Sequence, residues 1–313
     1  MLTGIRTYLW QPLAVFLLIL VPSLALADLR LGVIMSGDIP YYQAMHESFV
    51  KELHARLPAG EKVEIILQRP FPDPIAWSNA ARKLIAVEVD LIVTYGVPAT
   101  LAVVHENGQV PVVYAGVYDP EHAGIKGNKV TGCGFKVPLS SLLRYFKRLK
   151  TVKTLTVVFS GSEEDSVRQK EELRALAADQ QIQIKEMDIR VMADLEQLRA
   201  LTSNDTVFVT GSALAHVWLG NILSILEQGK VPMGSIFPDE AEAGVLITLF
   251  QPPQEQGKKA AAMAARILQG DKPGSIAPEV QRDTQLVFNL VEAQQLGIDF
   301  PIQLIVEATR VIK

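Results

Sequence analysis

The residues most able to bind a small molecule gather in six short stretches. In the first half of the chain these are Ser36-Gly37-Asp38-Ile39-Pro40-Tyr41-Tyr42, Tyr95-Gly96-Val97-Pro98-Ala99-Thr100 and Gly116-Val117-Tyr118-Asp119-Pro120. In the second half they are Ser160-Gly161-Ser162-Glu163-Glu164-Asp165-Ser166, Thr210-Gly211-Ser212-Ala213 and Phe237-Pro238-Asp239. Each offers small residues, hydroxyls or a carboxylate, and several open a helix, where free backbone N–H groups favour an anion. Thr100, with the N–H groups of Ala99 and Thr100 behind Pro98, could hold a carboxylate. Glu163 or Asp165 could accept hydrogen bonds from an ammonium group, with Ser166 adding a hydroxyl. Tyr41, Tyr42, Tyr95 and Tyr118 are four of the seven tyrosines, and together they would suit an aromatic-walled pocket. Taken singly, Ser, Asp and Pro at such places are also ordinary N-caps and turn formers, and the tyrosines ordinary half-buried packing.

Enzyme chemistry needs a nucleophile with its base, paired carboxylates, or a metal or cofactor site. The chain has no GxSxG, P-loop or GxGxxG pattern, and Gly132-Cys133-Gly134-Phe135-Lys136-Val137 lacks the third glycine. His46-Glu47 is followed by Val50 where a zinc-protease helix needs its second histidine. His46 and His54 read as surface residues of one helix, and nothing in the sequence pairs His105, His122 and His216. Glu163 and Asp165 fit helix caps or ligand contacts better than an acid/base pair. With Cys133 alone, no internal disulfide or multi-thiolate metal site can form, and glycine and apolar neighbours suit a buried, inert thiol. The expectation is a binding protein with no catalytic residues, metal or cofactor.

The six stretches need elements to hold them. Short β-branched apolar runs start at Leu29, Val63, Val89 and Val110, and again at Thr154, Ile182, Thr206 and Val231. Amphipathic segments between them predict helices at 41–57, 74–86 and 98–105, then at 163–179, 194–201 and 213–228. That alternation is the pattern of βαβ units and parallel sheets, so the fold class is α/β, with two doubly wound parallel-sheet lobes. Asn128–Pro138 is strand-like, carries Gly132 and Gly134 and leads into a helix, which suits a crossover strand serving as a hinge. Further crossings are expected at 243–250, before an Ala-rich helix over 255–268, and around 284–288. The lobes would be 28–134 with about 251–278, and 135–250 with about 279–313. Ligands of open parallel sheets bind beyond the carboxyl ends of the strands, which is where all six stretches lie.

The runs VDLIVTYGVPATLAVV, VPVVYAGVYDPEHAGI and VTGCGF resemble the substrate-binding proteins of ABC transporters that include tryptophan- and tyrosine-type binders, with the type I periplasmic binding fold. The family's second-lobe pattern, an aromatic residue, a short loop with Glu and a closing Asn-Ser, stands here as Phe159 to Ser166. GKKAAAMAARILQGDKPGSI and LVFNLVEAQQLGIDFP resemble the family's last first-lobe helix and closing segment, so the similarity spans nearly all of the chain after residue 27. Asp165 replaces the family's usual Asn, and Gln251-Pro252-Pro253-Gln254 stands where members commonly carry Asp and Tyr. The resemblance implies a solute receptor that closes two lobes on an amino acid or similar carboxylate, aromatic ones included. Its partners would be an ABC permease and ATPase; a ligand-sensing module for a membrane signalling protein would use the same lobes.

Composition and charge fit this. The chain has 313 residues, 49% hydrophobic and 20% charged, enough to bury two real cores. With 30 basic against 34 acidic side chains, nothing gathers phosphates, so nucleic acid is not an expected partner. Arg6, the apolar run Leu13–Val21, Pro22 and the ending with Ala25 and Ala27 read as a secretory signal, too short to be a retained span. Cleavage after Ala27 would remove one Arg and no acid, moving the net charge from −4 to −5. The residue just after the cleavage point is Asp28, with no cysteine there to carry a lipid, so the expected mature protein is a free periplasmic protein, expected as a monomer.

Overall fold

The computed structural model describes residues 29–106, 108–238 and 244–313. The expected leader with its cleavage point, and Asp239 of the sixth stretch, lie outside these residues. Strands and helices alternate first as β1 (Leu29–Met35), α1 (Pro40–Arg56), β2 (Val63–Gln68), α2 (Pro74–Ala86), β3 (Leu91–Tyr95), α3 (Val97–His105), β4 (Val112–Tyr118) and β5 (Val130–Phe135). A second series follows as α4 (Leu139–Leu149), β6 (Thr154–Phe159), α5 (Glu164–Ala178), β7 (Gln183–Asp188), β8 (Thr206–Val209), α6 (Ala213–Val217), α7 (Leu219–Gly229), β9 (Met233–Ser235) and β10 (Ile247–Phe250). The chain closes with α8 (Pro253–Leu268), β11 (Glu279–Gln281), β12 (Gln285–Asn289), α9 (Leu290–Leu296), α10 (Ile302–Ile305) and β13 (Arg310–Ile312).

The first sheet has the order β11-β5-β4-β3-β1-β2 and is parallel throughout. The second runs β13-β12-β10-β9-β8-β6-β7, with only β12 antiparallel to its neighbour β10. Strand periodicity explains the layering. Leu31, Val33 and Met35 of β1 join Phe49 and Leu53 of α1 on one face, while Ile34 meets Ala80, Ala81 and Leu84 of α2 on the other. Such two-sided burial is what makes these strands continuous apolar runs. Counted within each series, both sheets start with the strand order 2-1-3-4-5, so both reverse direction beside their first strand. The switch points fall between β1 and β3 and between β6 and β8, and each opens a crevice at the carboxyl ends.

Several expectations shift in detail. The segment after β7 is a 3-10 helix, Met192–Ala200, and the helix expected over 213–228 breaks at Trp218 into α6 and α7. β5 runs to Phe135 and β11, reaching Gln281, pairs with β5, so the chain stays with the first sheet past the boundaries expected at 134 and 278. Gly132 and Gly134 lie inside β5 and do not form the crossing. A Cβ at Gly132 would stand 2.2 Å from the Tyr114 carbonyl oxygen, and one at Gly134 2.7 Å from Pro120; glycine serves close approach to the irregular stretch of β4 between Ala115 and Val117. The chain crosses between sheets at 136–138, again between β10 and α8, and a third time between β11 and β12.

Candidate functional site

At the first switch point the polar groups bond to one another. The Ser36 hydroxyl donates to the Tyr95 carbonyl at 2.7 Å and accepts from the Ala99 N–H at 3.1 Å. The Trp77 indole N–H donates to the Ser36 carbonyl at 2.8 Å. Thr100 Oγ1 donates to the Gly96 carbonyl at 2.7 Å and lies 2.8 Å from Thr94 Oγ1, and the Thr100 N–H also turns to Gly96. The carboxylate cradle expected at Ala99 and Thr100 behind Pro98 is thus filled by the protein's own acceptors. Tyr95 is buried under α1, its hydroxyl 3.1 Å from His46 Nδ1 and its ring edge-on to Phe49, apart from the other tyrosines' cluster. His46 is accordingly half-buried, and burial lowers its pKa to about 4. Asp38 stays exposed, accepting from Gln43 and paired with Arg69.

Aromatic rings join the two crevices. Tyr41 and Tyr42 stand in the first turn of α1 and Phe237 follows β9. Tyr41 stacks on Phe237 with centroids 4.1 Å apart and planes at 12°. Tyr42 meets Phe237 edge-on at 5.9 Å, and Phe135 lies 6.3 Å from it. Tyr118 joins only through its edge contact with Phe135 at 5.5 Å. The Tyr41 hydroxyl donates to the Gln251 carbonyl and accepts from Gln256 Nε2, while Gln256 Oε1 accepts from the Gly116 N–H. His216 flanks Phe237 at 5.0 Å. Burial holds it near 4 and so neutral; Nδ1–H donates to the Ser212 carbonyl and Nε2 accepts from the Ser235 hydroxyl.

The second switch point carries the acids. Glu163 is 1% exposed and accepts three hydrogen bonds, from the Ser212 hydroxyl at 2.8 Å and the Ala213 and Leu214 N–H groups at 2.6 and 3.0 Å. It tethers the start of α6, and burial pushes its pKa up to about 7 against those donors. Ser212 caps α6 through the Ala215 N–H. Ser166 and Thr210 share a 2.7 Å hydroxyl contact, and Ser166 accepts from the Ser160 N–H, tying the loop after β6 to the end of β8. Ser162 lies 2.8 Å from the Ser160 hydroxyl, and the Gly211 N–H donates to Gln169 Oε1.

Asp165 differs from all of these. Its side chain is 3% exposed and Oδ1 has no hydrogen-bond partner. Burial, reinforced by the charges of Glu163 and Glu164, raises its pKa well above the usual carboxylate range. Asp165 and Glu163 also push the Tyr42 hydroxyl further up than burial alone, which puts Tyr42 within their field. Two more buried atoms lack partners nearby in the fold: Gln169 Nε2, one turn on from Asp165, and Gln251 Oε1, beside Tyr41. Buried polar atoms are usually paired, so such orphans mark places where another molecule can bond. Asp165 also lines an open groove of about 600 Å³ with Tyr118, Lys136 and Arg168. Tyr118 and Asp119 bond across this groove to α5, to Glu172 and Arg168. Sequence reasoning missed Gln169 and Gln256; the helical spacing of Gln169 from Asp165 puts both on one face and was the available signal.

A family model described as ABC transporter substrate binding protein matches residues 60–312. The chain is similar to the tyrosine-binding protein of Clostridioides difficile (strain R20291), 22% identical over 285 residues covering 86% of this chain and 83% of that protein. Among solved structures it resembles an ABC domain from Streptococcus pneumonia in complex with L-Trp, with TM-score 0.85, 23% identity and coverage of 91% of this chain and all of that one. A ligand-free, open substrate binding protein with adhesive properties from Clostridium difficile gives TM-score 0.63 at 22% identity, covering 91% and 99%. A leucine binding protein from Thermotoga maritima gives 0.56 at 16% identity, covering 77% and 83%, and the shared architecture is the type I periplasmic binding fold. These relatives bind solutes and are not enzymes. Two sheets with matching switch points, bridged by the stacked Tyr41 and Phe237 rings, carry the family's fold, and the chain belongs to the family of ABC transporter substrate-binding proteins.

Proposed function

We propose that the chain is an exported receptor that closes its two sheets, as lobes, on an amino acid or similar ammonium-bearing carboxylate, aromatic ones included, and delivers it to an ABC permease and its ATPase. The observation that carries this is Asp165 Oδ1, a buried acceptor without a partner, on a carboxyl whose charge reaches the Tyr42 hydroxyl, the Tyr42 ring itself meeting Phe237. An ammonium group would supply the missing donors and favour the ionised carboxylate, and rings would supply apolar cover. The tryptophan and tyrosine named for two relatives support the ligand class. The closer superposition on the L-Trp complex than on the ligand-free, open relative supports reading this arrangement as the closed one. Among the described residues no helix is long and apolar enough to cross a membrane, and the leader supports export to the periplasm with a mature chain beginning at Asp28.

The test is mass spectrometry of whatever small molecule leaves freshly purified mature protein on denaturation, followed by calorimetry with L-tryptophan, L-tyrosine and L-phenylalanine. Saturable binding of one of them with a thermal shift is expected; at about 100 times the dissociation constant the ligand adds roughly 2.7 kcal/mol of stability. Release of a compound without an ammonium group, and no response to amino acids, would overturn the ligand class.

A further inference from the structure

A second polar cluster spans the two sheets along the groove that Asp165 also lines. Tyr118 ends β4 of the first sheet and Asp119 follows it, Arg168 and Glu172 lie one turn apart on α5 of the second, and Lys136 begins the first crossing between them. Arg168 Nε donates to Asp119 Oδ2 at 2.9 Å, and Lys136 Nζ donates to the same oxygen at 3.0 Å. Lys136 Nζ also reaches Glu172 Oε2 at 2.7 Å, which accepts the Tyr118 hydroxyl at 2.9 Å. The ammonium lies 4.6 Å over the Tyr118 ring. His122 Nδ1 lies 2.8 Å from Asp119 Oδ1. Both Asp119 oxygens are therefore engaged, and neither Asp119 nor the Tyr118 hydroxyl remains for the ligand contact that the sequence suggested.

Asp119 has φ +48°, a left-handed conformation that a non-glycine residue rarely adopts, and its side chain is only 13% exposed. Burial pushes its carboxyl up, yet bonds from His122, Lys136 and Arg168 outweigh that and hold it at about 2. An exposed pair of this kind is worth little, whereas several charges sharing partly buried oxygens form a network. Its members sit on both sheets and on the segment connecting them, so the network depends on how the sheets are disposed.

We propose that Asp119, Lys136, Arg168 and Glu172 form a closure latch, an ion-pair network made when the two lobes come together and setting how readily the cleft opens. It rests on reading the two sheets as lobes that close on a ligand. Because the latch lowers the free energy of the closed form alone, it raises the closed share before ligand arrives and so raises apparent affinity. A brace within a rigid body would stabilise the fold without changing its shape.

The test is small-angle scattering of the mature ligand-free chain at about 20 mM and about 1 M salt, where the screening length falls to about 3 Å. The parent is expected to be compact at low salt and to expand at high salt. Arg168→Gln and Lys136→Met are expected to be expanded at both, with circular dichroism unchanged. Arg168→Lys, which keeps the charge, stays nearer the parent, as does Arg174→Gln, whose partners Glu171 and Glu186 lie outside the network. Curves of Arg168→Gln and Lys136→Met that superpose on the parent's at both salts overturn the latch; if L-tryptophan or L-tyrosine still compacts the parent, the receptor function stands without it. A parent that binds no amino acid but expands when the network is broken supports the latch and overturns the ligand class instead.

Discussion

The two switch points share one strand order and the same loop chemistry, yet they use their polar groups in opposite ways. Between β1 and β3, Ser36, Thr94 and Thr100 satisfy one another and the start of α3. Between β6 and β8, Glu163 and Ser166 are satisfied in the same manner, but Asp165 keeps one oxygen unpaired. A closed set of hydrogen bonds makes a rigid wall, whereas one open acceptor makes a place for a ligand. On the proposed reading, polar recognition comes from the second sheet, with Tyr41 and Tyr42 contributed by the first.

The largest effect that could break this contrast is on affinity. Asp165→Ala is expected to weaken binding of an aromatic amino acid roughly ten- to a hundredfold, since a hydrogen bond to a charged group is worth about 1.5–3 kcal/mol. Thr100→Val should leave affinity nearly intact and lower unfolding stability by about 1–3 kcal/mol, because Thr94 loses its buried partner. Calorimetry and denaturant unfolding on the same variants separate the two; equal affinity in Asp165→Ala and parent would remove the site from α5.

Glu163→Ala comes next, with most of its effect on folding. It orphans the Ser212 hydroxyl and the Ala213 and Leu214 N–H groups, and a stability loss of about 2–3 kcal/mol is expected. Glu163→Gln, which keeps one acceptor, should recover part of it. An unchanged midpoint in both would show that α6 holds its own start.

Titration sharpens the comparison further. Glu163 and Asp165 have raised pKa values, so the folded state holds more protons than the unfolded one, and stability falls as pH rises from about 4.5 towards 7 through Glu163. An ammonium ligand needs Asp165 ionised, so its affinity should rise with pH over that group's titration and binding should release a proton. Calorimetry in buffers of different ionisation enthalpy detects the release; uptake would contradict it. Asp119 behaves in the opposite sense, its depressed pKa giving stability that is present above the usual carboxylate value and lost as pH falls towards about 2.

The smallest expected effect is at Tyr41. Tyr41→Phe keeps the stack on Phe237 and loses the bonds to Gln251 and Gln256, costing about 1 kcal/mol. Phe237→Leu should cost more affinity for aromatic than for aliphatic amino acids if that stack meets the ligand, and a uniform loss would place Phe237 in packing alone.

Much of the architecture was legible from local pattern. β-branched apolar runs gave the alternation, with helices expected to open at Pro74 and Pro98, where the structure has α2 and α3, because strand periodicity and the missing proline N–H act within a few residues. The break at Trp218 was not legible. Nor was the job of Gly132 and Gly134, since a glycine chosen for a flexible turn and one chosen for close backbone approach look alike until Tyr114 and Pro120 are beside them.

The sequence by itself determined the elements, their α/β class and the six stretches at the strand ends, and its likeness to solute-binding proteins determined the family. Which of those residues are free to act was decided only by tertiary structure. Thr100 and Asp165 both follow a strand near a helix start, yet one is satisfied by Gly96 and Thr94 and the other retains an open oxygen. Tyr95 turned into the core on His46, whereas Tyr41 stacked on Phe237 from the other sheet. Asp119 was taken by Arg168 and Lys136. The physical reason is that a side chain's propensity is local, while its hydrogen-bond partner stands wherever the fold brings the opposite surface, as Gln251 and Gln256 are brought to Tyr41.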